Sequence, residues 1–120
     1  MSVFLDQAAF MLACDQTVGK LNGEQFKMYC NLIEEEHKEL IDAVANDDKI
    51  ECLDALIDIL VVTIGAIHSL GVDANGAWYE VLHSNMAKID QATGKVRKRE
   101  DGKVLKPEGW TPPDLSKYVR

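Results

Sequence analysis

Asp58 stands inside an otherwise apolar run, ALIDILVVTIGAI from Ala55 to Ile67, and this one carboxylate restricts what the chain can become. An isolated buried carboxylate is costly and must be neutralised by a proton, a partner or a metal. The run is too short to cross a bilayer, so the helix that carries it belongs in a protein core. More carboxylates lie close by. From Glu34 to Asp58 the chain reads EEEHKELIDAVANDDKIECLDALID. Basic partners are few, since Lys20, Lys27, Lys38, Lys49 and Lys88 are the only lysines or arginines before residue 91.

Hydrophobic spacing predicts helices around this stretch. Val3, Phe4, Ala8, Met11, Leu12 and Cys14 mark a first helix from Ser2 to about Val18, punctuated by Gly19 to Gly23. A second runs from about Glu24 to Ala45, with a main stripe of Phe26, Cys30, Ile33, Leu40 and Val44. Met28, Leu32 and Ala43 make a weaker stripe in line with Glu36 and Glu39. Asn46-Asp47-Asp48 supplies a break and an N-cap for a third helix, Lys49 to about Leu70. At about 100° per residue, Glu51, Asp54 and Asp58 fall within roughly 60° of one another, and Gly65 suits a close helix–helix approach. Gly71 fits the C′ position, and Asp73 can cap a fourth helix reaching about Asp90. From Gln91 the pattern breaks, with Asp101-Gly102 able to join two short strands. The expectation is one all-α domain over 1–120, a four- to five-helix antiparallel bundle (about 2–90) with a loop-rich tail (91–120).

Charge narrows the function classes. The net charge of −7 argues against nucleic-acid binding. Residues 1–90 hold 5 basic and 16 acidic side chains, a balance of −11, whereas 91–120 hold 8 and 4, a balance of +4. Such a tail can close over a bound polyanion–metal complex or simply be a solvated surface. Cys14, Cys30 and Cys52 are odd in number and form no C-x-x-C pair. The first apolar stretch carries Asp6 and lacks a basic leader, so a reduced cytoplasmic setting and no membrane partner are expected.

The carboxylates form two sets. Glu35, Glu36 and Glu39 lie at i, i+1 and i+4 on the second helix, and Asp54 and Asp58 project one turn apart from the third. Mg²⁺ takes hard oxygen ligands, usually a few carboxylates plus substrate phosphates. Either set alone can be a solvated face; together they point to a metal site. Glu34-x-x-His37 and Glu80-x-x-His83 match the Glu-x-x-His element of di-iron bundles, which keeps an iron protein as an alternative, beside a non-catalytic interaction module. Asn85 and Lys88, at i and i+3 on the fourth helix, can reach a phosphate or a base, or equally be solvated. Lys106 belongs to a tail cluster with Lys95, Arg97, Lys98, Arg99 and Lys103, which can contact a bound polyanion or be a solvated extension, and Trp110 with Pro112-Pro113 can anchor that tail.

Glu-Glu-x-x-Glu on one helix, then acidic residues entering an apolar run on the next, resembles the all-α nucleoside triphosphate pyrophosphohydrolases. These include MazG-like proteins, dimeric dUTPases and phosphoribosyl-ATP pyrophosphohydrolase. The resemblance covers roughly 24–90, and the tail NMAKID…GKVRKREDGKVLKPEGWTPPDL is similar to that of small phage and bacterial members. The family's second motif is Glu-x-x-Asp; Asp58 fits its Asp, but Ala55 occupies the Glu position, leaving Asp54 or Glu51 to take over. The resemblance implies Mg²⁺-dependent (or Mn²⁺-dependent) hydrolysis of a (deoxy)nucleoside triphosphate between the α and β phosphates, as nucleotide-pool house-cleaning. It implies Glu36, Glu39, Asp54 and Asp58 as metal ligands, Glu35 as base or orienting ligand, and a homodimer or homotetramer.

Overall fold

The computed structural model describes residues 2–119 and is helical, as expected. It contains α1 (Val3–Ala13), α2 (Gly23–Ala45), α3 (Lys49–His68) and α4 (Ala74–Met86). A two-stranded antiparallel ribbon, β1 (Ile89–Asp90) and β2 (Lys95–Val96), and a 3₁₀ turn, Ser116–Tyr118, complete it. The backbone groups into two compact units, residues 2–74 with Val119, and Asn75–Tyr118.

In the first unit, α2 packs chiefly on α3, and α1 also rests on α3. Helix ends follow from local chemistry. The expected first helix stops five residues early because Asp15 turns left-handed (φ 57°). The Asp15 and Gln16 amides then donate to the Leu12 and Met11 carbonyls, closing the orphan carbonyls of the last turn. Asp47 (φ 51°) ends α2 the same way, with Asp48 donating to Ala43. Asp48 next caps α3, its side chain accepting from the Glu51 amide at 3.1 Å. This leaves α2 and α3 as an antiparallel hairpin with almost no loop.

The core is small: Met11, Tyr29, Val62 and Ala66, with Val18, Phe26, Leu32 and Ile33 packed on it. Two members of the expected α2 stripe, Cys30 and Val44, are exposed instead. Tyr29, which lies between the two stripes, meets α3 at Gly65, and Phe26, Leu32 and Ile33 pack around the same core. Tyr29 was hidden by its hydroxyl, which donates to Gln16 Oε1 and so can be buried. Its ring fills the space beside Gly65, where an added Cβ would lie 2.3 Å from Tyr29 Cε1. The expected close approach is therefore real.

Gly65→Ala should consequently destabilise the protein. The helix gains about 1 kcal/mol of propensity, but overpacking a buried, hydrogen-bonded ring costs about 1–3 kcal/mol, and at 2.3 Å the cost lies at the upper end. Urea denaturation should show a midpoint lowered by the difference. An unchanged or raised midpoint would mean that the Tyr29 ring is free to move aside.

The second unit holds the rest of α4 and the tail. Helix α4 ends at Met86 rather than near Asp90, because Ile89–Asp90 pairs with Lys95–Val96 about the Thr93-Gly94 turn. The expected strands around Asp101-Gly102 shrink to one bridge, Lys98 with Val104. Trp110 ties the tail to α4 as expected, its Nε1 donating to the Ser84 carbonyl at 2.7 Å. Farther along, Glu80 accepts from Tyr118 Oη at 3.1 Å and pairs with Lys117 at 2.9 Å. Among the described residues, no helix is long and apolar enough to cross a membrane.

Candidate active site

The hairpin places the acidic sets opposite each other. Tyr29 and Gly65 touch, and Glu36 and Asp58 lie seven residues nearer the turn on their respective helices. Seven residues are about two turns, or roughly 10 Å of helix, so the tight contact holds the register in which the carboxylates meet. Glu36, Glu39 and Asp58 converge, offering one oxygen each with all three inside 4.8 Å of one another. Glu36 and Asp58 are half-buried, while Glu39 is open to solvent.

Three like charges this close repel, and the acidities record it. The Glu36 carboxyl is pushed up to about 7, first by burial, then by a hydrogen bond with Glu39 and the charges of Glu39, Asp58 and Asp54. Burial raises Asp58 as well, helped by Asp54 and Glu39. No ammonium or guanidinium relieves the cluster, since the ion pairs among the described residues are Glu34–Lys38, Asp101–Arg99 and Glu80–Lys117. Glu36 Oε2 is buried without a hydrogen-bond partner. An orphaned buried oxygen in an all-carboxylate set fits a hard divalent cation, which would satisfy the oxygen and cancel the repulsion together. A buried salt bridge as the reason for Asp58 finds no partner here.

The other expected residues fall as follows. Glu35 is exposed on α2, and Asp54 is exposed on α3, outside the three-oxygen cluster although its charge acts on Glu36 and Asp58. Glu51 is exposed in the first turn of α3. Neither Glu-x-x-His element joins a three-ligand cluster among the described residues. Glu34 and His37 are exposed, and Glu80 is held by Lys117 and Tyr118. In the second unit, Asn85 lies on α4, but Lys88 lies past its end, its Nζ donating to Asn85 Oδ1 at 3.1 Å. Lys106 is exposed in the tail, 5.2 Å from the Trp110 ring centre, and Lys88 is 5.1 Å from that same centre.

The family model for phosphoribosyl-ATP pyrophosphohydrolase matches residues 14–85, more than half of the chain's 120 residues. The matched segment contains α2 and α3 entire, with all three clustered carboxylates. No curated protein matches the chain.

Proposed function

The chain belongs to the phosphoribosyl-ATP pyrophosphohydrolase family, and on that premise we propose that it hydrolyses a nucleoside triphosphate, deoxy or ribo, to the monophosphate and pyrophosphate. The observation that carries this reading is the orphaned Glu36 oxygen within the Glu36–Glu39–Asp58 cluster. Glu36, Glu39 and Asp58 would hold Mg²⁺ or Mn²⁺, with Asp54 one turn away as the fourth carboxylate. Such a cation, when bound, would supply neutralisation of phosphate charge and polarisation of the scissile anhydride. Glu35, outside the cluster but adjacent in the chain, accepts the proton of the attacking water. Water oxygen bonds to the α phosphorus, the bridging P–O bond breaks towards the β phosphate, and pyrophosphate departs. Asn85, Lys88 and Lys106 contact the phosphates.

The test is a panel of nucleoside triphosphates, with phosphoribosyl-ATP included, assayed with Mg²⁺ for pyrophosphate against single phosphate. Release of pyrophosphate and monophosphate from at least one substrate, lost on chelation, is the expected result. Stoichiometric iron with no turnover would instead favour the Glu-x-x-His reading.

The working unit is a homo-oligomer, dimer or tetramer, in the cytoplasm. Ile50, Leu53, Ile57 and Leu60 on α3 are 79%, 61%, 51% and 45% exposed, at spacings of three, four and three residues. That is a helix-packing stripe left open, and each such side chain contributes about 1.5–3 kcal/mol when buried. Leu53→Asp should therefore lower the mass measured by light scattering while leaving the helix content unchanged. A wild-type chain that is already monomeric at micromolar concentration would overturn the assembly.

A further inference from the structure

Trp110 gathers two cations that pair with no carboxylate among the described residues. Lys88 Nζ lies 5.1 Å and Lys106 Nζ 5.2 Å from the centre of its ring. The ring itself is fixed, since its Nε1 donates to the Ser84 carbonyl at 2.7 Å. Lys88 is further restrained by Asn85 Oδ1. Among the described residues neither ammonium has a carboxylate within ion-pairing distance, although acidic side chains outnumber basic ones 20 to 13. By contrast, Lys117 in the same unit is paired with Glu80.

Bringing two like charges to one ring is unfavourable unless something compensates. The indole face compensates in part, through cation–π attraction. Among the described residues it leaves Lys106, and Lys88 beyond its one bond to Asn85 Oδ1, with N–H donors to spare. A cavity of about 490 Å³, lined by Trp110, Pro107, Ala87 and Ser84 among others, adjoins the two lysines in sequence, Ala87 preceding Lys88 and Pro107 following Lys106. Two carboxylates line that wall: Glu80 is already engaged by Lys117 and Tyr118, while Glu108 is exposed and pairs with neither lysine.

We infer that Trp110 is a positioning residue that holds Lys88 and Lys106 as a paired cation site for an oligophosphate, the chain of phosphates carried by a nucleotide or released from it. The inference rests on the proposed hydrolysis for its biological ligand, and it assigns to Trp110 a role in affinity rather than in the reacting atoms. Two ammoniums set a fixed distance from one rigid ring favour a chain of linked phosphates over a single phosphate.

The test has two parts, both on the full chain. Calorimetry with chelator present, using inorganic triphosphate, pyrophosphate and orthophosphate, should give binding in that order of strength, weakening as salt is added. Trp110→Leu and Lys106→Ala should each weaken triphosphate binding about 10-fold, with melting temperatures close to wild type for Lys106→Ala. Trp110→Phe, which keeps an aromatic face, should recover most of the affinity lost in Trp110→Leu. In turnover, Trp110→Leu should raise KM for the nucleotide with kcat little changed. If Trp110→Leu lowers only the melting temperature and leaves triphosphate affinity and KM alone, the ring merely docks the tail and the inference fails. Nucleotide hydrolysis by a wild-type protein that binds no oligophosphate without metal would also overturn it, while leaving the proposed function standing. Oligophosphate binding lost in Trp110→Leu, in a protein that hydrolyses no nucleotide, would sustain the site and sink the hydrolysis.

Discussion

Asp58→Asn is expected to lower turnover by about 10²–10³-fold or more, the scale of losing a principal electrostatic contact to the developing charge. The same substitution should leave the metal-free protein as stable as wild type, or more stable. Asp58 is half-buried, with its acidity raised by burial and by Asp54 and Glu39, and no cation faces it among the described residues. An amide of the same shape removes one of three mutually repelling charges. Glu36→Gln should act likewise, as its Oε2 is the buried oxygen without a partner. If Asp58 were instead half of a structural ion pair, breaking it would cost about 3–5 kcal/mol. Thermal melts in chelator, set beside pyrophosphate release with Mg²⁺, decide the matter. A variant that melts far below wild type and is indifferent to metal would end the metal-site assignment.

Metal-free protein should lose stability as the pH rises from about 4.5 to about 7, and Mg²⁺ should restore it. The sign follows from Glu36, whose carboxyl is raised from 4.5 to about 7 on folding. Between those values the folded chain binds the proton more tightly than the unfolded one. Its stabilising contribution is complete below the unfolded value and gone above the folded one. Asp58, also raised, adds in the same direction. After discounting for solvent around the open Glu39 side, the change amounts to about 1–3 kcal/mol.

Divalent cation displaces the protons, so its effect should grow with pH. At 100 times its Kd it stabilises by about 2.7 kcal/mol, on the order of 10 °C in Tm for a chain of this size. Scanning calorimetry with and without Mg²⁺, from about pH 5 to pH 8, measures both effects, with Glu36→Gln as the control that should flatten the metal-free profile. A metal-free Tm that rises with pH in wild type and in Glu36→Gln alike, untouched by Mg²⁺, would exclude the cluster as a cation site.

Much of this was legible in the chain because helix formation is local. Apolar spacing and the Asp48 cap located α2 and α3 to within a residue or two at most ends. The carboxylate in the apolar run, Asp58, belongs to the candidate cluster. Legibility failed where two local choices were equally good. The Thr93-Gly94 and Asp101-Gly102 turns read alike, yet only the first is flanked by a ladder of two residue pairs. Asp15 and Asp47 end helices in a left-handed conformation more typical of glycine, so α1 ends earlier than apolar spacing alone predicts.

By itself the sequence determined the face each carboxylate takes on its own helix, because 3.6 residues per turn fix that angle wherever the helix lies. Angle alone did not separate Asp58 from Asp54, or Glu36 from Glu35, as partners across the hairpin. Tertiary structure decided it. The Tyr29 ring fits only where Gly65 leaves room, and the Asn46–Asp48 turn allows no slack. Together they set one register and one separation between α2 and α3. In that register Glu36, Glu39 and Asp58 share a space, since a packed contact between rigid helices fixes distances that spacing along one helix never specifies.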